Sequence, residues 1–336
     1  MEELLKSISG TICNYRDGEF GHLDEEHVRK WVNQFDEPDR VIVLEETNRI
    51  LRRTYFSKQN FFDFIDGLIK STKFASEDQC SFWGNVSLLK IQQNGRSQSE
   101  LLELAASIIE SNFGFTPKIN SDSDHYVYID DYLFSGNRLV NDLRNWINSD
   151  APGRCDVSIV FMGWFQGGIW YAQNKLTELA KQAKKDIRFK YWSHEDLRLE
   201  NRLFKKNESH VFWPVQEISD DEAVKRYLET QAKEPVYREE NGFKNKIFSV
   251  ERRTQYENAL LKAGIKILGF CNSPSPVVKP LGYSRFDGFG FGSTVFSFRN
   301  CPNNNPLAFW WGDPTYLPSH PFGKWYPLLQ RKTYGE

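Results

Sequence analysis

The chain has 336 residues, of which 43 are Lys or Arg and 45 are Asp or Glu, so its formal net charge is −2. This balance excludes a global field for capturing nucleic acid or an anionic membrane, and any such binding would have to be local. The apolar runs are far shorter than a membrane span, and the first residues, MEELLKSISG, lack the basic and apolar segments of a signal peptide, so we expect a soluble cytoplasmic protein.

Residues from about 22 to 75 carry apolar side chains at the three- and four-residue spacing of helices. In DEEHVRKWVNQF, Asp24 is a suitable N-cap, and Trp31 and Phe35 follow on the apolar side. The segments DRVIVLEETNRILRRTYFS and KQNFFDFIDGLIKST continue the same period. The pattern predicts a helical N-terminal region, residues 1–80, folded as a small bundle.

Strand and helix patterns alternate from about residue 82 to residue 213. The candidate strands are FWGNVSLLKIQ, HYVYIDDYLF, CDVSIVFMGWF and IRFKYWS, and the candidate helices between them are SQSELLELAASIIESNFG, GNRLVNDLRNWINS and IWYAQNKLTELAKQAKKD. This alternation predicts an α/β fold with a mostly parallel central sheet flanked by helices, which we assign to residues 81–213. In such sheets ligands bind at the carboxyl ends of the strands.

The second candidate strand ends in two adjacent acids, Asp130 and Asp131. Two neighbouring carboxylates repel each other, and burying either without a partner is costly, so a cation or several hydroxyl groups should face them. A four-residue turn then leads into a helix: Ser135, Gly136, Asn137 and Arg138. Backbone N–H groups at a helix N-terminus, a small glycine, a hydroxyl and a guanidinium together predict a site for a phosphate monoester.

This arrangement resembles the signature of the type I phosphoribosyltransferases, in which an apolar strand, an acidic pair, three further residues and a Thr-Gly or Ser-Gly step bind phosphoribosyl pyrophosphate. The resemblance implies that Asp130 and Asp131 hold the ribose hydroxyls and take part in catalysis, and that residues 135–138 hold the 5′-phosphate. Mg²⁺ would be the cofactor, because it would bridge pyrophosphate and ribose oxygens and partly neutralise the acidic pair, which would contact the ion indirectly. The scattered Cys and His residues indicate no transition-metal site.

An upstream loop, QQNGRSQSE, residues 92–100, follows the first candidate strand and opens a helix. Four of its residues could meet an anion with helix N–H groups and a guanidinium: Gly95, Arg96, Ser97 and Gln98. An ordinary helix capped by Ser97 or Ser99 after a glycine turn explains the same pattern, so both interpretations stay open. In the type I phosphoribosyltransferases a loop at this place in the chain grips the pyrophosphate, and the resemblance implies that role here.

Two positions depart from the pattern of that family. In the members that act on 6-oxopurines, an acid three residues after the pair is the general base to the ring, and Phe134 stands there in this chain. The usual small hydroxyl residue two positions after the glycine is replaced by Arg138. Ordinary purine salvage is therefore not expected, and the acceptor stays open. Arg138 could bind the phosphate ester, or it could fill the site and leave a fold without catalysis.

The segment FMGWFQGGIWYAQNKL carries three glycines, Gly163, Gly167 and Gly168, after a candidate strand. They predict a flexible loop between strand and helix at the same edge of the sheet. Aromatic residues such as Trp164 and Trp170 could form the walls of a base or acceptor pocket, or they could simply pack the helix onto the sheet.

Residues 214–336 differ in composition and predict an aromatic-rich α+β C-terminal region. PVQEISDDEAVKRYLETQAKEP and SVERRTQYENALLKAG indicate helices, the second ending at Gly264, and IKILGFC, STVFSF and PLAFWW indicate strands. Aromatic residues make up 15% of the chain, which indicates large aromatic cores or, alternatively, a platform for stacking bases. One polar run could add residues to a second site or form an Asn-Pro turn that satisfies its own backbone: Arg299, Asn300, Asn303 and Asn304.

The whole chain also resembles a group of divergent phosphoribosyltransferase-like proteins encoded beside bacterial anti-phage and conflict genes, and the segments FRNCPNNNPLAFWWGDP and KWYPLLQRK carry that likeness. The resemblance implies transfer of a phosphoribosyl group to an unknown acceptor in bacterial defence. The alternative is a non-catalytic subunit that senses a nucleotide or sugar phosphate, or a scaffold. Expected partners are phosphoribosyl pyrophosphate or a related nucleotide, a protein of a defence complex and a second copy in a homodimer. The net charge gives no support for nucleic acid, and no membrane partner is expected.

Overall fold

The structure is a computed structural model that describes residues 1–93, 96–240 and 245–332. The α-helices of these ranges are α1 (Glu2–Ile12), α2 (Glu25–Val32), α3 (Arg40–Thr54), α4 (Lys58–Ile69), α5 (Thr72–Ala75), α6 (Gln79–Asn85), α7 (Ser97–Phe113), α8 (Asn137–Asn148), α9 (Gln166–Gln182), α10 (Glu222–Leu228), α11 (Arg253–Leu268) and α12 (Leu307–Trp310). The strands are β1 (Tyr55–Phe56), β2 (Ser87–Leu88), β3 (Lys118–Ile119), β4 (His125–Leu133), β5 (Arg154–Phe165), β6 (Asp186–Trp192), β7 (Arg198–Leu199) and β8 (Phe296–Ser297).

The chain divides into two compact units. The first unit joins residues 1–58 to residues 201–336, and the second unit is residues 59–200. The sequence-based division at residues 80 and 213 stays a prediction of domains, and its boundaries differ from those of the compact units. No helix of the described ranges is both long enough and apolar enough to cross a membrane.

The first unit is built around the predicted N-terminal helices. Helices α1, α2 and α3 pack together, α3 also contacts α11, and β1 pairs in parallel with β8. Asp24 accepts a hydrogen bond from the His27 N–H at 2.9 Å and is the N-cap of α2, as the sequence predicts. The core is aromatic: Trp31 stacks on Phe309 with ring centroids 5.6 Å apart.

A buried ion cluster, the Glu257 cluster, lies in the same unit. The Glu257 carboxylate is fully buried and is paired with Arg238 at 2.7 Å and with Arg253 at 2.8 Å. The Trp213 N–H also donates to Glu257, at 2.9 Å. Two guanidinium groups therefore surround one carboxylate, which leaves no uncompensated negative charge in this part of the core.

Two predictions for this unit are wrong. Helix α11 continues through Gly264 to Leu268, so this glycine does not end the helix and IKILGFC does not form a strand. Gly264 packs against the backbone of Pro280, which leaves no room for a side chain. PLAFWW contains the short helix α12 and not a strand. Short apolar runs that are buried on all sides have no periodicity with which to distinguish strand from helix.

The second unit contains the predicted parallel sheet. Its strands lie in the order β3-β2-β4-β5-β6, β7 also pairs with β5, and every pairing is parallel. On one face, an apolar cluster joins Tyr126 and Val157 of the sheet to helices α8 and α9. On the other face, Phe82 of α6 contacts the His125 ring with centroids 5.2 Å apart. The α/β fold with helices on both faces is confirmed.

Three local predictions for the second unit need correction. The segment FWGN belongs to helix α6, so only β2 remains of the first predicted strand. Helix α7 begins at Ser97, so neither predicted serine is its N-cap, although it does end at Gly114 with a φ of 77°. Strand β5 runs directly into α9, and Gly168 lies in the first turn of that helix against the Phe134 carbonyl. The flexible glycine loop predicted there does not exist.

Candidate functional site

The acidic pair lies where the flanking strands of the sheet have already ended. Strand β2 ends at the level of Val127, and β6 ends at the level of Ile129. Strands β4 and β5 continue beyond this level as a pair, so Asp130 and Asp131 lie inside β4, two residues before its last residue, Leu133. The acids are therefore at the carboxyl edge of the sheet as a whole, although not at the end of their own strand.

The alternation of side chains along β4 is broken at the acidic pair. Tyr128 and Leu133 pack in the same apolar cluster, although they are five positions apart and regular alternation would place them on opposite faces. The Asp131 N–H donates to Asp130 Oδ1 at 2.9 Å, and the Tyr132 N–H donates to Asp131 Oδ1 at 2.7 Å. The two carboxylates thus satisfy backbone groups of their own strand where the regular pattern is interrupted.

Asp130 is buried, with 3% of its surface exposed. Burial, followed by the negative charge of Asp131, raises the pKa of Asp130 to about 7. Arg138 and an interaction with the Ser97 hydroxyl act in the opposite direction and lower that pKa. At neutral pH the Asp130 carboxyl is therefore close to its midpoint of ionisation, as is expected where a carboxylate lacks sufficient positive charge.

A third carboxylate, Asp142 of α8, was not identified from the sequence. Its side chain is buried, with 3% exposed, and accepts from the Tyr128 hydroxyl at 3.2 Å and from the Gln93 N–H at 3.4 Å. The same Tyr128 hydroxyl lies 3.5 Å from Asp130 Oδ2. Burial raises the pKa of Asp142 as well. We call Tyr128, Asp130 and Asp142 the acid cluster.

The sequence does contain a signal for Asp142. It follows Leu139 by three residues and precedes Trp146 by four, so it lies on the apolar stripe of an amphipathic helix. A charged residue on such a stripe is unusual, because acids are almost never fully buried without a partner. This position could have been selected from the sequence as a candidate for a buried polar site.

The turn after the acidic strand has the geometry of an anion site. Gly136 adopts a φ of 79°, and a side chain there would place its Cβ 2.5 Å from the Gly168 carbonyl oxygen. The first intrahelical bond of α8 runs from the Val140 N–H to the Gly136 carbonyl at 3.1 Å, so the N–H groups ahead of it point out of the helix. The Ser135 hydroxyl lies beside them, 3.5 Å from the Asn137 N.

Arg138 supplies the positive charge beside the acids. Burial of its guanidinium lowers its pKa, but the charges of Asp130, Asp131 and Asp142 act against this, and the net result is a raised pKa. The residue remains exposed at the surface as a whole. The guanidinium therefore interacts electrostatically with three carboxylates, those of Asp130, Asp131 and Asp142.

The upstream loop is closed by two glutamines. Gln98 Oε1 accepts from the N–H groups of Ile91 and Gln92, both at 2.8 Å, and Gln92 Oε1 accepts from the Gln98 N–H at 3.1 Å. Gln92 Nε2 also donates to the Ser97 hydroxyl at 2.9 Å. These bonds hold both ends of the loop together beside the acid cluster, because Ser97 interacts with Asp130.

The four predicted residues of this loop have different surroundings. Arg96 is exposed, whereas Ser97 and Gln98 are buried, and Gln98 Nε2 has no hydrogen-bond partner within the described part of the chain. Gly95 lies outside the described residues. The structure therefore brings Ser97 to the acid cluster, and the role of the loop as a pyrophosphate site stays a prediction.

The predicted second-site residues belong to the first unit, which does not contain the acidic pair: Arg299, Asn300, Asn303 and Asn304. Asn300 Nδ2 donates to the Lys332 carbonyl at 2.9 Å, and Asn304 Nδ2 donates to the Tyr283 carbonyl at 3.2 Å. These bonds agree with a turn whose amides bind nearby backbone. A second site at these residues stays a prediction.

A magnesium ion fits Asp130 and Asp131 only if a ligand supplies most of its oxygens. Across residues 1–93, 96–240 and 245–332, no group of three or more His, Cys, Asp or Glu side chains is placed to hold a metal ion. Mg²⁺ commonly uses one or two carboxylates together with water and phosphate oxygens, and two adjacent carboxylates suit this type of binding. The donor set is compatible with an ion that arrives with a phosphorylated ligand.

Comparison with known proteins gives one match. A family model described as PRTase-CE matches residues 28–331 of the chain. The matched range includes the acidic pair, the turn at residues 135–138 and the upstream loop. No curated protein matches the chain, and no solved structure does.

Proposed function

Because the chain belongs to the PRTase-CE family, we propose that this phosphoribosyltransferase-like protein binds phosphoribosyl pyrophosphate or a related sugar phosphate with Mg²⁺ and transfers the phosphoribosyl group to an acceptor. The observation that carries the proposal is the acidic pair, with Asp130 buried, at the carboxyl edge of a parallel sheet, beside a glycine turn that opens a helix. Parallel α/β sheets bind ligands at this edge.

Each part of the site has a task in this proposal. The first-turn N–H groups of α8 and the Ser135 hydroxyl would bind the 5′-phosphate, and Arg138 would add a charged contact. Asp130 and Asp131 would accept hydrogen bonds from the ribose hydroxyls. The loop closed by Gln92 and Gln98 would face the pyrophosphate.

Transfer breaks the bond between the anomeric carbon and a pyrophosphate oxygen, and the electron pair leaves with pyrophosphate. The acceptor forms a new bond to the same carbon, and its proton passes to solvent because Phe134 offers no base. Positive charge develops on the sugar ring, and the nearby carboxylates of Asp130 and Asp131 would stabilise it. Mg²⁺ bound by the ligand, with Asp130 and Asp131 in indirect contact, would supply positive charge to the departing pyrophosphate.

A second candidate is binding without transfer. It is favoured by Arg138, which stands where the family usually has a small hydroxyl residue and interacts with both acids of the pair. In that case the protein would sense a nucleotide or sugar phosphate and would release no pyrophosphate. Measurement of pyrophosphate release in the presence of bound ligand separates the two candidates.

A role in bacterial defence is the broadest part of the proposal, and it rests on the resemblance of the C-terminal segments. The acceptor, or a protein partner, would then belong to the same defence system. Cells carrying the system with Asp130→Asn and Asp131→Asn together should lose protection against phage. Full protection by that variant would show that defence does not require the proposed site.

The first experiment is calorimetric titration of phosphoribosyl pyrophosphate with and without Mg²⁺. We expect metal-dependent binding by the wild type and at least about a tenfold loss of affinity in the Asp130→Asn, Asp131→Asn variant, because charged hydrogen bonds contribute roughly 1.5–3 kcal/mol each. Asp150→Asn, an exposed acid at the end of α8, is the matched control and should bind normally.

Two results would contradict the proposal. One is the absence of binding by the wild type with Mg²⁺ present, and the other is unchanged affinity in the double variant. Thermal unfolding of both proteins must accompany the titration, so that a loss of binding is assigned to the site and not to unfolding.

A further inference from the structure

Asp142 connects two parts of the candidate site that are distant in the sequence. One oxygen of its carboxylate accepts from the Gln93 N–H, in the upstream loop, at 3.4 Å. The other accepts from the Tyr128 hydroxyl, on the acidic strand, at 3.2 Å. The carboxylate therefore bridges the loop before α7 and strand β4, and it does so from inside the protein, with 3% of the residue exposed.

The Tyr128 hydroxyl lies between two carboxylates. It is 3.2 Å from Asp142 Oδ2 and 3.5 Å from Asp130 Oδ2, and it carries a single proton. It can donate that proton to one carboxylate at a time, so a second carboxylate near it is stabilised only by a further proton or by a cation. The orientation of Asp130 thus depends on how the Tyr128 hydroxyl is shared with Asp142.

We infer that Asp142 is a positioning residue that holds the upstream loop through Gln93 and orients the Asp130 carboxylate through Tyr128, so that loop and acidic strand present one preformed site. The inference rests on the proposed function for the identity of the ligand. The claim that Asp142 fixes the positions of the loop and of the Asp130 carboxylate can be tested in the protein without a ligand. Asp142 itself does not touch the ligand in this arrangement.

Cooperation between the two parts follows from this bridge. A ligand whose pyrophosphate meets the loop and whose ribose meets Asp130 would contact both ends of the same network. Removing Asp142 should therefore weaken ligand binding through both contacts of the bridge.

The test combines hydrogen exchange without ligand and titration with ligand. In Asp142→Ala we expect the Gln93 amide to exchange about tenfold faster, because a hydrogen bond to a charged group is lost. Asp142→Asn retains an acceptor oxygen and should keep the exchange of this amide near the wild-type rate. Tyr128→Phe leaves the loop contact intact and should leave the Gln93 exchange unchanged.

Affinity for phosphoribosyl pyrophosphate with Mg²⁺ gives the second measurement. We expect about a tenfold loss for Asp142→Ala and a smaller loss for Tyr128→Phe, since only the former affects both loop and strand. Asp150→Asn is the control for the exchange and the binding measurements.

The inference is overturned if Asp142→Ala leaves Gln93 exchange at the wild-type rate. It is also overturned if exchange rises equally throughout the second unit, for example in β5 as much as at Gln93, because this would indicate a purely structural role. If the wild type does not bind phosphoribosyl pyrophosphate, the proposed function fails, and the exchange experiment still decides whether Asp142 holds the loop.

Discussion

Each of the two units of the protein buries a group of charged residues, and the two groups differ in how their carboxylates are paired. In the first unit the Glu257 cluster places two arginines on one carboxylate, at 2.7 and 2.8 Å. In the second unit the acid cluster and Asp131 bring three carboxylates together with Arg138. In the first group the carboxylate is paired with two arginines, whereas in the second group burial raises the pKa of Asp130 and of Asp142.

This difference distinguishes charges that stabilise the fold from charges that we propose to bind a ligand. A buried ion pair with good geometry is strongly destabilised when one partner is removed. A buried carboxyl group with a raised pKa, such as Asp130, instead reduces stability at neutral pH, and such groups are characteristic of functional sites. The comparison predicts opposite effects for neutralising an acid in the two units.

The largest effect is expected for Glu257→Leu. The substitution leaves Arg238 and Arg253 buried without their carboxylate, so we expect the free energy of unfolding to fall by about 3–5 kcal/mol. Urea denaturation of the purified protein measures it, with the exposed Glu251→Gln as a control that should change little. A loss no greater than that of the control would remove the contrast between the two units.

Asp130→Asn should act in the opposite direction in the protein without ligand. The pKa of Asp130 is about 7 in the folded state, against about 3.9 in an unfolded chain, so the folded state binds more protons between these values. The stability contributed by the protonated group is therefore present at low pH and is lost as the pH rises through about 7.

At pH 8 Asp130→Asn should unfold at a higher urea concentration than the wild type, by an amount equivalent to roughly 2–4 kcal/mol, and at pH 4 the difference should largely disappear. Asp150→Asn, measured in parallel, should show no such dependence on pH. A variant that is less stable than the wild type at pH 8 would mean that Asp130 is stabilised by the fold and would reverse the comparison.

The smallest effect is expected for Arg138→Gln. Arg138 lowers the pKa of Asp130, so its removal should shift the pH dependence assigned to Asp130 towards higher pH, by a small amount because Arg138 as a whole is exposed to solvent. To measure this shift, we compare the free energies of unfolding of Arg138→Gln and of the double variant Arg138→Gln, Asp130→Asn from pH 5 to pH 9. Arg144→Gln, an exposed change on the same helix, should leave the profile in place. A profile that does not move would show that Arg138 does not compensate the acids.

The features that the sequence predicts correctly are local in the chain. The Asp24 cap, the end of α7 at Gly114 and the alternation of strands with helices depend on neighbouring residues, and each was found. The turn at Gly136 also follows from local chemistry, because few residues other than glycine adopt its backbone conformation.

The features that were missed depend on contacts between distant residues. Asp142 accepts a hydrogen bond from Gln93, which is 49 positions away in the sequence, and no periodicity reveals such a pair. Gly264 continues a helix because the backbone of Pro280 packs against it, and PLAFWW is helical although its residues favour strands. The sequence pattern identified only part of the acid cluster: it indicated Asp130, as a member of the acidic pair, but not Asp142.

The discontinuous first unit has a consequence for biosynthesis. Roughly 140 residues of the second unit are translated between the two segments of the first. At about 5–20 residues per second, the N-terminal helices wait on the order of ten seconds for the residues that complete their core. During this time Trp31 of α2 lacks Ala308 and Phe309, which later cover it. The nascent chain therefore exposes an aromatic surface of the kind that ribosome-associated chaperones bind, while the continuous second unit can already fold.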